Sequence, residues 1–383
     1  MKNPVTLAVL SLLMIFSSCS KDGLELSSKD YSGESGLNSG NNSQAQAGLV
    51  TAGEWNDLNN WEFWGNLLNN QEFSNMPAYW GIFTNNRIAV AVQNQGIPAI
   101  NAKVELLRNE SVIWSARTDN LGYAELWIST FQKEDAVDLS SLTLKINNIL
   151  QNQGLVLFEN GTNQFNINGV SDQTNRVEIS FIVDATGSMG DELEFLKEDL
   201  KSVIDSVKLD DSNLAIYTST VFYRDEGDAY VVRKSEFTND LNKTIDFIKK
   251  QKADGGGDFP EAVHTALNAA INELQWSEVA KTRIAFLVLD APPHYTPAIL
   301  NSIHNSIKQA AQKGIKVIPI TASGIDKETE FLMRFMAILT NGTYVFITND
   351  SGIGNDHLEA SVGEYQVEQL NSLMIRLIKK YSE

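Results

Sequence analysis

The sequence predicts an α/β domain with a doubly wound, mostly parallel sheet, preceded by an all-β sandwich domain. Two observations carry this. From residue 177 onward, short continuously apolar runs alternate with helical patterns, as strands covered on both faces require. Between residues 86 and 170, by contrast, short alternating runs are separated by turn residues, without helical spacing.

The chain has 383 residues, long for one domain when about 100–200 is usual. It begins MKNPVTLAVLSLLMIFSSC: Lys2 supplies positive charge, Val5–Phe16 is apolar, and small residues lead to Cys19. The run is shorter than the roughly 20 apolar residues of a spanning helix and has the length of a signal-peptide core. Residues 1–19 resemble a bacterial lipoprotein signal, although Phe16 stands where Leu is usual. The resemblance implies that Cys19 is acylated and becomes the mature N-terminus, which anchors the protein to a membrane without a spanning helix. Ser20–Gly23 resembles the short acidic signal of Bacteroidota lipoproteins displayed outside the outer membrane. Cys19 is also the only cysteine, so no disulfide framework is available.

Residues 20–48 are rich in Ser, Gly, Asn and Gln and too poor in apolar surface to offset ordering entropy; they read as a flexible linker. Residues 49–85 carry Trp55, Trp61, Trp64, Leu67 and Leu68 at helical spacing and are expected to pack on the domain that follows. Within 86–172, Arg87–Val92, Ala102–Leu107 and Val112–Ala116 read as strands, with turns at Asn94–Pro98, Arg108–Glu110 and Thr118–Gly122. The runs GIPAINAKVELL and SARTDNLGYAELWI resemble carboxypeptidase-regulatory-like, transthyretin-related sandwiches, which serve as spacers or platforms.

Residues 173–383 form the α/β unit. Strands are expected at Val177–Val183, Leu214–Phe222, Arg283–Leu289 and Thr343–Ile347, with helices at Glu192–Val207, from about Asp240, from Pro260, and at Val367–Lys380. A further helix, strand and helix fill the interval to Thr340. The formal charge of −18 argues against nucleic acid, whose phosphates need Lys and Arg.

Asp184, Thr186 and Ser188 follow directly on the first of these strands. In a doubly wound sheet that loop faces the crevice beyond the carboxyl ends of the strands, where ligands bind. One carboxylate and two hydroxyls at alternate positions turn three oxygens toward one point, a set suited to a hard cation such as Mg²⁺. Two more loops carry carboxylates at corresponding places: Gly255-Gly-Gly-Asp258-Phe-Pro-Glu261 before a helix, and Asp290 at the end of a later strand.

These residues resemble the metal-ion-dependent adhesion site of von Willebrand factor A domains. The resemblance assigns Asp184, Thr186 and Ser188 to its first loop and Asp290 to its last. It implies a protein ligand whose acidic side chain fills the open position on the ion. Tyr223-Arg-Asp225 resembles the segment after the second strand in some members. In the middle loop Gly257 stands where plainer members have a ligating Thr, and Asp258-Phe-Pro260-Glu261 resembles the D-x-P-E of integrin β-subunit domains. Asp258 and Glu261 are therefore expected to complete the site from the first turn of a helix begun by Pro260. The added carboxylates lower the ion's residual charge, so Ca²⁺ or Mn²⁺ can compete with Mg²⁺. In integrin-type members ligation shifts the last helix; this sequence ends at Glu383, just beyond its own, so binding without such a relay is expected.

Two other functions fit parts of the pattern. An envelope scaffold would use the same domain. A serine hydrolase would use Ser188 in Thr186-Gly-Ser188-Met-Gly190, one residue short of G-x-S-x-G, with Asp258 or Asp290 and His294 or His357 following in hydrolase order. Against it, Thr186 replaces the first glycine, and Asp184 sets negative charge beside an oxyanion.

If Cys19 is acylated, the wild-type protein partitions into detergent and is cut by protease added to intact cells, whereas Cys19→Ala does neither. A Cys19→Ala protein that still entered the detergent phase would refute the assignment.

Overall fold

The computed structural model describes residues 45–169, 174–210 and 213–383. The signal segment, Cys19 and most of the 20–48 linker lie outside the described residues.

The first strand, β1 (Thr51–Trp55), leads into two short helices, α1 (Trp61–Asn69) and α2 (Met76–Trp80). The next eight strands are β2 (Arg87–Asn94), β3 (Ile97–Pro98), β4 (Lys103–Arg108) and β5 (Ser111–Arg117), then β6 (Tyr123–Trp127), β7 (Leu142–Ile146), β8 (Ile149–Gln151) and β9 (Asn163–Ile167). One sheet runs β3-β2-β6 with β9 paired to β2, and the other runs β5-β4-β7-β8. Ile88 and Val90 of the first share a core with Val104, Leu106 and Leu144 of the second, so the alternating residues meet between two sheets.

The α/β unit contains β10 (Arg176–Asp184), α3 (Leu193–Asp210), β11 (Ala215–Tyr223), β12 (Val232–Thr238) and α4 (Leu241–Lys249). It continues with α5 (Val263–Asn268), β13 (Thr282–Leu289), α6 (Pro297–Lys313), β14 (Ile315–Thr321) and α7 (Lys327–Leu339), and ends with β15 (Tyr344–Ile347), β16 (Glu368–Gln369) and α8 (Leu370–Ser382). The sheet order is β12-β11-β10-β13-β14-β15-β1-β16. The five strands from β11 to β15 are parallel, and those outside them are antiparallel. Every residue of β13 and β14 is buried, which explains their unbroken apolar runs. Helices α3, α4 and α8 cover one face, while α5, α6 and α7 lie on the other in the core that also includes the sandwich.

Three details differ from the sequence reading. The segment 49–85 does not pack simply on the sandwich: β1 pairs with β15 and extends the α/β sheet. The edge strand β12 was not among the expected strands; its Arg233, Lys234 and Glu236 break the apolar pattern and suit an exposed edge. The helix expected to open at Pro260 opens at Val263 instead. Glu261 donates its N–H to the Pro292 carbonyl at 2.9 Å and bridges to Pro293, which holds it in extended backbone ahead of the helix.

Helix α7 is buried from Thr329 to Leu339, because it lies between the sheet and the N-terminal segment. Its inward charge is therefore neutralised inside the protein. Arg334, fully buried, holds both Asp57 oxygens at 2.9 and 2.6 Å and reaches Glu330 at 3.2 Å. It also donates to the Ser361 carbonyl at 2.7 Å. The network ties the turn after β1 to α7 and to the loop before β16. Removing one partner of such a buried pair typically costs about 3–5 kcal/mol, because the other charge stays buried and unpaired. Asp57→Ala is accordingly expected to lower unfolding free energy by about that amount in urea titrations; an unchanged midpoint would show that the network contributes nothing.

Candidate metal centre

Strand β10 delivers Asp184 to the carboxyl edge of the sheet, and the chain then turns through Thr186 and Ser188. The backbone N–H and hydroxyl of Thr186 both donate to Asp184 Oδ1, at 2.9 and 2.7 Å. The Thr186 and Ser188 hydroxyls stand 3.2 Å apart. Asp184 and Thr186 are buried and Ser188 is exposed, so the cluster opens to solvent at the serine.

The middle loop is clipped onto this one by two backbone bonds, Gly187 N–H to Gly255 O at 3.0 Å and Asp254 N–H to Ala185 O at 3.1 Å. The buried Arg224 reinforces the clip by donating to Ala185 O at 3.1 Å and Lys252 O at 2.8 Å. Glycine is required twice here. Gly255 has φ +77° and a Cβ there would collide with the Asp228 carboxylate; Gly256 has φ +69° and a Cβ would lie 2.9 Å from Glu261 Oε1. At Gly257 a Cβ would meet nothing within 4 Å, and the residue offers no ligand atom.

Three buried carboxylates that feel one another's charge each keep an oxygen with no hydrogen-bond partner among the described residues: Asp184 Oδ2, Glu261 Oε2 and Asp290 Oδ1. Buried polar atoms are rarely left so. Burial, before any other cause, raises all three carboxyls. Asp184 rises to about 6, Asp290 to about 7 with further repulsion from Asp184, and Glu261 to about 9 with repulsion from Asp184, Asp225 and Asp290. Unpartnered oxygens and mutual repulsion are what a divalent cation relieves, and with two hydroxyls beside them the oxygen-only donor set fits a hard ion.

Asp184, Thr186, Ser188, Glu261 and Asp290, five of the residues expected to ligate, are brought together here. Asp258 does not join the buried carboxylates. It is exposed, and its ligand atoms fall within 4.8 Å of those of Asp225 and His294. His294 Nε2 lies 2.7 Å from Asp225 Oδ1. The reason for the split is backbone geometry: the Glu261–Pro293 bridge fixes the glutamate against the Asp290 loop, while Asp258 sits three residues earlier on the open part of the turn. The sequence flagged Asp225 only as part of a motif. It also held no signal for Glu192, which is buried, accepts from Ser323 N at 3.2 Å, pairs with His357 at 3.1 Å and adds to the field on Asp290.

A family model described as von Willebrand factor A domain matches residues 178–352. Over 119 residues the chain is 34% identical to the putative ariadne-like RING finger protein R811 of Acanthamoeba polyphaga mimivirus, covering 31% of this chain and 11% of that protein. Over 143 residues it is 32% identical to the alpha-protein kinase vwkA of Dictyostelium discoideum, covering 37% and 22%. The chain therefore spans only a small fraction of those relatives. Among solved structures it is similar to the conserved hypothetical protein BatB from Bacteroides thetaiotaomicron, at 16% identity and TM-score 0.37, covering 54% of this chain and 98% of that one. An aerotolerance-related membrane protein from Bacteroides fragilis gives 16%, 0.34, 54% and 98%.

The raised carboxyls set a sign for stability. Between the ordinary carboxylate range and about 6 to 9, the folded protein without metal holds more protons than the unfolded chain, so its stability falls as pH rises through that window. Thermal melts in EDTA are expected to decline from pH 6 to pH 9, and saturating Mg²⁺ to flatten the decline. Parallel curves with and without Mg²⁺ would mean that these carboxyls do not meet the ion.

Proposed function

We propose that the α/β unit, over which a von Willebrand factor A domain model matches residues 178–352, binds a divalent cation and through it a protein ligand carrying an acidic side chain. The observation that carries this reading is the trio of buried, unpartnered carboxylate oxygens beside two hydroxyls. Asp184, Asp290 and Glu261 hold the ion, directly or through water, with Thr186 and Ser188 as neutral donors, and Mg²⁺ is the ion expected. Three carboxylates make the site more anionic than one completed by threonine, which favours competition by Ca²⁺ or Mn²⁺. Asp258 serves from the exposed side, with Asp225 and His294.

The chain's own residues do the rest. Arg224 and the glycines fix the middle loop, the exposed Ser188 leaves a side of the ion open, and a carboxylate from a partner enters there. Phe259 and Tyr295, both about half exposed on the loops that carry Glu261 and Asp290, offer apolar contact beside that opening. We place the protein at the cell surface, held by lipid on Cys19, with the sandwich as a platform of the carboxypeptidase-regulatory-like type; adhesion and envelope scaffolding share this chemistry. A hydrolase reading is disfavoured because, among the described residues, neither His294 nor His357 bonds Ser188, whose hydroxyl lies 3.2 Å from that of Thr186 instead.

Calorimetry with Mg²⁺ tests the site. Asp184→Ala and Asp290→Ala are expected to abolish binding, Glu261→Gln to weaken it about tenfold or more, and Asp258→Ala to change it less than about threefold, as an exposed charge screened by water does. Capture of envelope proteins on the immobilised protein should then be lost in EDTA and in Asp184→Ala. Equal Mg²⁺ binding by wild type and the first two variants would end the reading, as would labelling of Ser188 by a fluorophosphonate.

A further inference from the structure

At the opposite end of β13 from Asp290, the surface reverses sign. Arg283 and Asp290 are seven residues apart on an extended strand, roughly 23 Å. Around Arg283 a cleft of about 450 Å³ lies between the sandwich and the α/β unit, its charged lining made of Lys103, Arg117, Arg283 and Lys313 against the one carboxylate of Glu278. Such a concentration of cations is unexpected in a chain of formal charge −18.

Three of these cations have only neutral partners. Arg283 Nη1 and Arg117 Nη1 converge on the single side-chain oxygen of Asn101, at 3.0 and 3.5 Å. Arg117 Nη1 also reaches the Asn101 carbonyl at 3.3 Å, and Arg283 Nε the Ser277 carbonyl at 2.7 Å. Lys313 Nζ donates to Ile271 O at 2.6 Å. Among the described residues none of the three has a carboxylate within ion-pair distance, whereas Lys103 pairs with Glu105 at 2.6 Å. Arg283 is only 2% exposed and its Nη2 has no hydrogen-bond partner; neither has the buried Nε of Arg117.

Two guanidiniums are thus held side by side with donors unused. Burial first, and then the charge of Arg117, lowers Arg283 to about 10. The carboxylates within reach do not cancel them. Glu178 is taken by Arg176 at 2.6 Å and by the Ser277 N–H, and Glu278 acts on both arginines only at longer range from an exposed position. Planar guanidiniums with free N–H groups match tetrahedral oxyanions, which supply two charges and several acceptors at once.

We propose that this cleft binds a phosphate or sulfate monoester, with Arg117 and Arg283 gripping the oxyanion and Lys313 at its rim. The cleft is larger than a bare phosphate, and the amides of Gln275, Gln309 and Gln312 that line it suit the hydroxyls of a sugar carrying that ester. The site is independent of the metal centre, since the two lie at opposite ends of one strand.

Thermal melts of the full chain in EDTA, at ionic strength matched with sodium chloride, provide the test. Inorganic phosphate, sulfate and glucose 6-phosphate are expected to raise the midpoint as ligands of the folded state do, and glucose alone to leave it unchanged. Arg117→Gln and Lys313→Gln should weaken phosphate about tenfold or more, which is the usual effect of removing a charged hydrogen-bond donor. Glu278→Gln, which removes the nearest exposed negative charge, should strengthen it by a few-fold, a gain that a purely structural role for the arginines does not produce. Because Arg283 is buried, its substitution is not relied upon. No shift by any of the three anions beyond chloride would overturn the proposal, and phosphate binding that glucose 6-phosphate does not match would overturn its sugar half. Vesicles bearing phosphatidic acid separate the sources of the same chemistry: their retention of the protein, lost in Arg117→Gln, assigns the ester to a lipid headgroup, and their failure to retain it assigns a soluble one.

Discussion

Mutual repulsion among Asp184, Glu261 and Asp290 is the constraint around which the α/β unit is arranged. Left to themselves, three carboxylates taken out of water separate or protonate: burial first, and then like charge nearby, raises all three. The fold holds them together by fixing each on a different rigid piece. Asp184 ends a central strand, Asp290 follows its neighbour in the sheet, and Glu261 is locked by its bridge to Pro293. Backbone bonds and Arg224 then tie the loops to each other, so no carboxylate can relax alone. A site preorganised in this way has its electrostatic cost built into folding and recovered on cation binding.

That rigidity reaches beyond the α/β unit's own span of sequence. Strand β1 extends the sheet beyond β15, and Asp57 just after it neutralises Arg334 inside the most deeply buried helix. Across the same boundary β5 and β6 of the sandwich pack on α6 and α7, Trp80 of α2 donates to the Glu328 carbonyl of α7 at 2.7 Å, and Asn120, between β5 and β6, donates to the Lys380 carbonyl of α8 at 2.9 Å. The N-terminal segment is therefore a structural part of the α/β domain as well as the connection to the sandwich.

The two ends of β13 differ in sign for the same physical reason. Strand ends are where side chains escape the apolar layers, so charge gathers there. At the carboxyl end the residues are acidic, with carboxylate oxygens unpartnered; at the amino end, where the sandwich closes over the sheet, they are basic, with guanidinium donors unpartnered. In both places the orphaned atoms are buried, which distinguishes them from ordinary solvated surface charge.

What the sequence determined by itself was whatever depends on near neighbours along the chain. Unbroken apolar runs mark strands buried on both faces, and Asp184, Thr186 and Ser188 share a loop whose geometry follows from their spacing and the strand before them. Asp290 was legible for the same reason, as the residue that ends such a strand. The tertiary structure alone set Asp258 apart from Glu261, both expected at the site, because their separation turns on a bridge to a segment about thirty residues away. It alone gathered Asp225 with His294, placed β1 in a sheet whose other strands lie more than a hundred residues downstream, and brought Arg117 to Arg283. Those pairings leave no periodic trace in the sequence, since each residue's own neighbours fit several environments equally well. Long-range packing decides which one it meets.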